Sequence, residues 1–204
     1  MPSKEDHWQQ VYQTADHSKL GWYQHSPDQS LQFLASIDAQ PGQAIIDVGC
    51  GESLLVDQLL DMGFEDITLL DISRHALLAV KSRLGEQAAI PNFLNQDICE
   101  ANLDKQFDIW HDRAVFHFLT GESDRRGYLS TLRDNLAANG HALIATFSIN
   151  GPTHCSGLEV RRYNDAKMRA ALTRGLRLID SETSLHSTPN GNTQEYCYFH
   201  IGHD

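Results

Sequence analysis

From residue 44 onward, short runs of apolar residues alternate with longer stretches whose apolar positions recur every three or four residues. Residues 44–48 (AIIDV) read as a buried strand. Residues 53–62 read as a helix carrying Leu54, Leu55, Leu59 and Met62 on one face, with Gly63 supplying its stop. The run DITLLDI (66–72) predicts a second strand, and Ser73 and Gly85 bracket a second helix as N-cap and C-terminal stop. NFLNQDI (92–98) predicts a third strand, and FDIWHD (107–112) a shorter fourth. Helical spacing over 123–138 ends at an Asn-Gly pair, after which HALIATFSI (141–149) predicts a fifth strand. A further helix falls at 165–174, and the last two runs flank TPNGN, whose turn chemistry predicts an antiparallel pair.

Strands that alternate with helices predict right-handed crossovers and an α/β fold. The expected sheet has seven strands, is mostly parallel and doubly wound, and carries the C-terminal hairpin at its edge. The 204 residues suit one domain, with 1–30 as a lid segment, 31–150 as the core and 151–204 as a loop and the closing strands. In such sheets ligands bind beyond the carboxyl ends of the strands, where the strand order reverses. Asp47 to Glu52, Asp71 with Ile72, Asp97 with Ile98, and His111 to Arg113 stand at those ends. Asp71 follows Gly51 by 20 positions, the separation at which a carboxylate at the end of a second strand reaches a ribose diol. Gly49 and Gly51, lacking Cβ atoms, allow a sharp turn and close approach of a ligand to the backbone.

Charge then separates two adenosine-bearing cofactors. A dinucleotide places its pyrophosphate on the first turn of the helix. Here Glu52 occupies that turn, Asp47 precedes it, and Leu54 stands where a third glycine would permit close packing. S-adenosylmethionine has no phosphate and carries a sulfonium and an ammonium, so the same carboxylates attract it. Composition narrows the partners further. With 16 Lys+Arg against 27 Asp+Glu, a formal charge of −11, the chain repels a phosphate backbone or an anionic membrane, so nucleic acid is not expected. No segment approaches the length of a membrane span, the start MPSKEDHWQQ lacks a secretory leader, and the chain is expected in the cytoplasm. Cys50, Cys99, Cys155 and Cys197 show no paired spacing, which favours free thiols over disulfides or a metal site.

The motifs DVGCG (47–51), LLDIS (69–73) and QDI (96–98) resemble, in order and spacing, the cofactor motifs of class I S-adenosylmethionine-dependent methyltransferases, whose fold is Rossmann-like. The resemblance covers about residues 30 to 150. It implies that Asp47 and the backbone at Gly49 and Gly51 hold the methionine moiety, and that Asp71 binds the ribose. It further implies that Ile72 packs on the adenine and that Asp97, with the Ile98 backbone, meets the adenine amino group. Trp8 and Tyr12, the GWY at 21–23 and the Asp112-Arg113 pair are similar to the methyltransferases that modify lysines of elongation factor 1A and citrate synthase. There Asp-Lys-Gly follows the fourth strand, and this chain has Asp-Arg-Ala. The WHDRAVFHFLT and 146–163 segments look more like bacterial methyltransferases of unassigned substrate.

The acceptor therefore stays open between a protein side chain, with lysine first, and a small molecule; a Rossmann-type protein that binds a dinucleotide or lacks transfer activity is the contrasting class. A base is needed only if the nucleophile arrives protonated, and Asp112, His111 and His117 are the candidates for that role. His117 lies between Phe116 and Phe118, so a place in the core competes with a catalytic one. Trp8, Tyr12, Trp22 and Tyr23 are suited to a lid over the sulfonium, because aromatic faces attract cations, or to plain packing of the N-terminal segment.

Overall fold

The computed structural model describes residues 3–204; Met1 and Pro2, the first two of the segment read above as a lid, lie outside the described residues. Among the described residues the chain forms α1 (Lys4–Thr14), α2 (Asp28–Ser36), β1 (Ile45–Val48), α3 (Leu55–Asp61), β2 (Ile67–Asp71), α4 (Arg74–Leu84) and β3 (Asn92–Asn95). There follow β4 (Phe107–Arg113), α5 (Glu122–Asn135), β5 (Leu136–Phe147), β6 (His154–Cys155), β7 (Leu158–Glu159), α6 (Asp165–Ala171), β8 (Leu176–Ser187) and β9 (Thr193–His203). Seven strands make one sheet in the order β3-β2-β1-β4-β5-β9-β8, while β6 and β7 pair by themselves. The first five are parallel and the β8–β9 hairpin is antiparallel, as the pattern predicts.

Burial explains the parallel half. Every residue of β1 and β2 is buried, because helices cover both faces of these strands. On one face Ile45, Leu69, Ile109 and Ala145 pack with Phe33 and Leu34 of α2, Leu55 and Leu59 of α3, and Leu77 and Val80 of α4. On the other, Ile46, Leu70, Trp110 and Ile144 pack with Tyr128 and Leu132 of α5 and Met168 of α6. Successive residues of β4 therefore look into opposite layers, which decides the fates of Asp112 and Arg113. The strand order reverses between β1 and β4, and the loops after these two strands part there to open a crevice.

Several boundaries differ from the sequence reading. α3 starts at Leu55 because Ser53 Oγ accepts the Leu55 N–H (3.1 Å) while Gly51 to Ser53 form the turn. β3 ends at Asn95, and Asp97 lies in a loop where its carboxylate accepts the Cys99 N–H (2.9 Å). The helix read to residue 138 ends at Asn135, since buried Leu136 already pairs with Phe107; the Asn-Gly pair falls inside β5, in a bulge where residues 137–140 stand opposite Asp108 of β4. α6 stops at Ala171 instead of residue 174. α1 and α2 were not anticipated by the strand-helix alternation.

Candidate functional site

The loop after β1 is folded by its glycines. Gly49 (φ 63°) and Gly51 (φ 51°) both take left-handed backbone. A Cβ on Gly49 would lie 2.0 Å from Val115 Cγ2, and one on Gly51 would lie 2.3 Å from the Tyr12 hydroxyl. Either would close the space against which the loop is packed. Ahead of the loop, buried Asp47 accepts from His111 Nδ1 (2.6 Å), and His111 Nε2 accepts from Ser30 Oγ of α2 (2.8 Å). Both imidazole nitrogens are thus occupied. His111, a candidate base in the sequence, is placed as the support that orients Asp47 toward the cleft.

The ends of β2 and β3 supply the second wall. Asp71 Oδ2 accepts the Gly51 N–H (2.8 Å) and Oδ1 the Ser73 N–H (2.7 Å), which ties the two loops together. Burial pushes this carboxyl up to about 6 against the pull of those two donors. Asn95 Nδ2 fixes the neighbouring turn by donating to the Asp71 and Ile72 carbonyls (3.0 and 2.8 Å). Ile72, Asp97 and buried Ile98 line the same cavity as Asp71, so four of the expected cofactor residues come together along one wall.

The roof comes from far away in sequence. In α1, Ser3 and Asp6 form a capping box, and Trp8 and Tyr12 follow on one face. Trp8 meets Trp22 (ring centroids 5.9 Å) and Phe118 (4.9 Å), and Tyr12 meets Trp22 (6.4 Å). Gln9 Oε1 pins the helix by accepting from Ser73 Oγ and the His75 N–H (both 3.0 Å), and Lys4 pairs with Asp124 (2.6 Å). The capping box was the signal in the sequence that identifies this helix. Beneath it lies a cavity of about 910 Å³, counting its open mouth, which runs from Asp97 past Gly49 to Arg113, Cys155 and Leu158. A smaller cavity shares Tyr12, Trp22, Gly49 and Arg113 with it and extends to Asp47, Glu52 and Tyr23.

At the end of β4 the expected catalytic residues are placed otherwise. Asp112 is wholly buried in the α5 layer, where it accepts from the Val115 N–H (2.8 Å), the Phe116 N–H (3.1 Å) and the Tyr128 hydroxyl (2.6 Å). Trp110 Nε1 donates in turn to Tyr128 (3.0 Å). Asp112, pushed up to about 6 by burial, closes the turn after β4 and lines neither cavity. His117 is also fully buried; its Nδ1 accepts from the Phe147 N–H (3.3 Å), and burial beside Arg113 holds it down at about 3, uncharged at neutral pH. The strand alternation sends Asp112 inward and its neighbour Arg113 into the cleft.

This arrangement fits S-adenosylmethionine: a loop without side chains for close approach, Asp71 at the end of β2, an apolar slot at Ile72 and Ile98, and Asp47 and Glu52 around the cationic end. Residues 46–142 match a family described as a methyltransferase domain. Among curated proteins, the eEF1A lysine and N-terminal methyltransferase of Mus musculus is 27% identical over 121 residues, 58% of this chain and 17% of that protein. The malonyl-[acyl-carrier protein] O-methyltransferase of Acetivibrio thermocellus is 29% identical over 119 residues, 58% of this chain and 40% of the other. The chain thus spans less than a fifth of the length of the first of these relatives. A methyltransferase structure from Anabaena variabilis superposes with a TM-score of 0.78 at 15% identity, covering 100% of this chain and 96% of its own. The glycopeptide N-methyltransferase MtfA, complexed with S-adenosylmethionine, gives 0.66 at 16% identity over 90% of this chain and 96% of its own. No described helix is long and apolar enough to cross a membrane, and the four cysteines are free. The cofactor motifs, the sheet order and these likenesses agree: the chain has the fold of class I S-adenosylmethionine-dependent methyltransferases and carries a match to a methyltransferase domain over residues 46–142.

Proposed function

We propose that the chain is an S-adenosylmethionine-dependent methyltransferase that acts on a small molecule enclosed beneath the α1 roof. The observation that carries the reading is the cleft itself. Its far end is walled by Phe118, Leu119 and Leu158 and roofed by Trp8 and Trp22, an enclosure sized for a compact apolar body. In this reading Asp47, Gly49 and Gly51 hold the methionine end of the cofactor, Asp71 the ribose, Ile72 and Ile98 the adenine faces, and Asp97 the adenine amino group. Trp22 lies over the cationic centre. When bound, S-adenosylmethionine supplies an electrophilic methyl group on a sulfonium.

The chain's own contribution is orientation. The candidate bases are consumed: Asp112 by three donors, His111 by Asp47 and Ser30, His117 by a backbone N–H and an apolar shell. The acceptor nucleophile therefore arrives unprotonated, and the walls supply rate by holding it in line with the methyl carbon. The charge of −11 speaks against a nucleic-acid acceptor, and four free thiols suit a cytoplasmic setting. The 27% identity to a protein-lysine methyltransferase favours a second reading, transfer to a protein side chain. Labelling a lysate with methyl-tritiated cofactor separates the two. Label in small molecules that survives protease and passes a 3-kDa-scale filter (roughly, a few tens of residues) is the expected result, and label retained on protein overturns the first reading.

A further inference from the structure

Arg113 is a half-buried cation that has no counter-ion among the described residues. Its Nη1 donates to the Trp22 carbonyl (2.9 Å), and its guanidinium carbon stands 4.7 Å from the centre of the Tyr196 ring. Its Nε and Nη2 are shut off from solvent and, among the described residues, have no hydrogen-bond partner within bonding geometry and no carboxylate paired with them. The titratable groups that bear on it are Tyr196 and Cys155, whose hydroxyl and thiol burial raises, the Tyr198 hydroxyl beside it, and the imidazoles of His117 and His186, both held down by burial and by the guanidinium itself. Two more polar atoms around it are buried without partners, the Tyr196 hydroxyl and His117 Nε2. Because His117 Nδ1 accepts from Phe147, the proton of that ring sits on Nε2. Arg113 lines both cavities, while Tyr196 and His117 lie behind it, so the wall presents a planar two-donor fork with no carboxylate facing it.

Guanidinium nitrogens shut off from water without partners are unfavourable unless something supplies the missing charge, and the Nε/Nη2 edge matches a carboxylate in bidentate geometry. We propose that Arg113 anchors a carboxylate of the methyl acceptor, so that the substrate is a small acid whose apolar body lies against Phe118, Leu119 and Leu158. This rests on the small-molecule reading above. Arg113 also borders the smaller cavity beside Gly49 and Glu52, so the cofactor's own carboxylate is the rival source of the same chemistry, and the test separates them.

The probes are a panel of small aliphatic and aromatic carboxylic acids, each paired with its primary amide, titrated against the full chain saturated with S-adenosylhomocysteine. S-adenosylhomocysteine and 5′-methylthioadenosine, which lacks the amino-acid end, are titrated separately. The expected result is that at least one acid binds tenfold or more tighter than its amide. Arg113→Gln should abolish that preference while S-adenosylhomocysteine affinity changes less than twofold. Arg113→Lys, which keeps the charge but not the fork, should retain part of the preference and serves if the Gln variant does not fold. Equal binding of acids and amides by the wild type overturns the proposal. So does a tenfold loss of S-adenosylhomocysteine affinity in Arg113→Gln with 5′-methylthioadenosine unchanged, which would assign the arginine to the cofactor. Failure of the wild type to bind S-adenosylhomocysteine would instead overturn the methyltransferase reading beneath it.

Discussion

Asp71 at the end of β2 and Asp112 at the end of β4 carry the same group at equivalent places, both buried and both raised to about 6 by burial. Their surroundings divide them. Asp71 receives two backbone donors and still borders the cleft; Asp112 receives three donors and faces the layer of α5, away from it. A carboxylate at a strand end becomes a ligand-binding group only when the pleat turns it toward the crevice and leaves acceptor capacity unused.

The largest effect that sharpens this contrast is on stability. Asp112→Ala strands the Val115 and Phe116 N–H groups and the Tyr128 hydroxyl, and should destabilise the fold by about 3 to 5 kcal/mol in denaturant melts. A loss below about 1 kcal/mol would show that the network does not hold the turn. Asp71→Ala should instead be read in binding, weakening S-adenosylmethionine by about 1.5 to 3 kcal/mol in titration calorimetry. Unchanged affinity would remove Asp71 from the site.

A smaller effect follows from the raised carboxyl. The ionised form is the one that accepts from a diol, and Asp71 gains its proton near pH 6, so affinity should fall about tenfold between pH 7.5 and 5. In Asp71→Asn that slope should vanish; a slope that persists there belongs to another group. Smallest is Ala114→Gly. Ala114 sits at φ 75°, in the left-handed region that favours glycine, so the change should raise stability by up to about 1 kcal/mol without moving cofactor affinity.

The same contrast explains what could be read in the sequence. The loop 47–51, Asp71, Asp97 and Ile98 belong to consecutive strand ends, and local spacing brings them to one wall. The fate of Asp112 depends on Tyr128, sixteen residues later, and on which face of β4 it takes, so its place next to a strand end misled. His111 was read as a base because Ser30, 81 residues away, is invisible to local pattern. The aromatic residues of the roof are legible as a lid, but its helices are not, because α1 and α2 have short apolar faces. They are fixed through single long-range bonds, such as Gln9 to Ser73, and by ring contacts among Trp8, Trp22 and Phe118.

The central claim is that carboxylates around a glycine loop select a sulfonium donor over a pyrophosphate. Calorimetric titration of the wild-type chain with S-adenosylmethionine and, in parallel, with NAD tests it most directly. Saturable binding of S-adenosylmethionine with no heat from NAD is the predicted result, and tight binding of NAD without S-adenosylmethionine would contradict it.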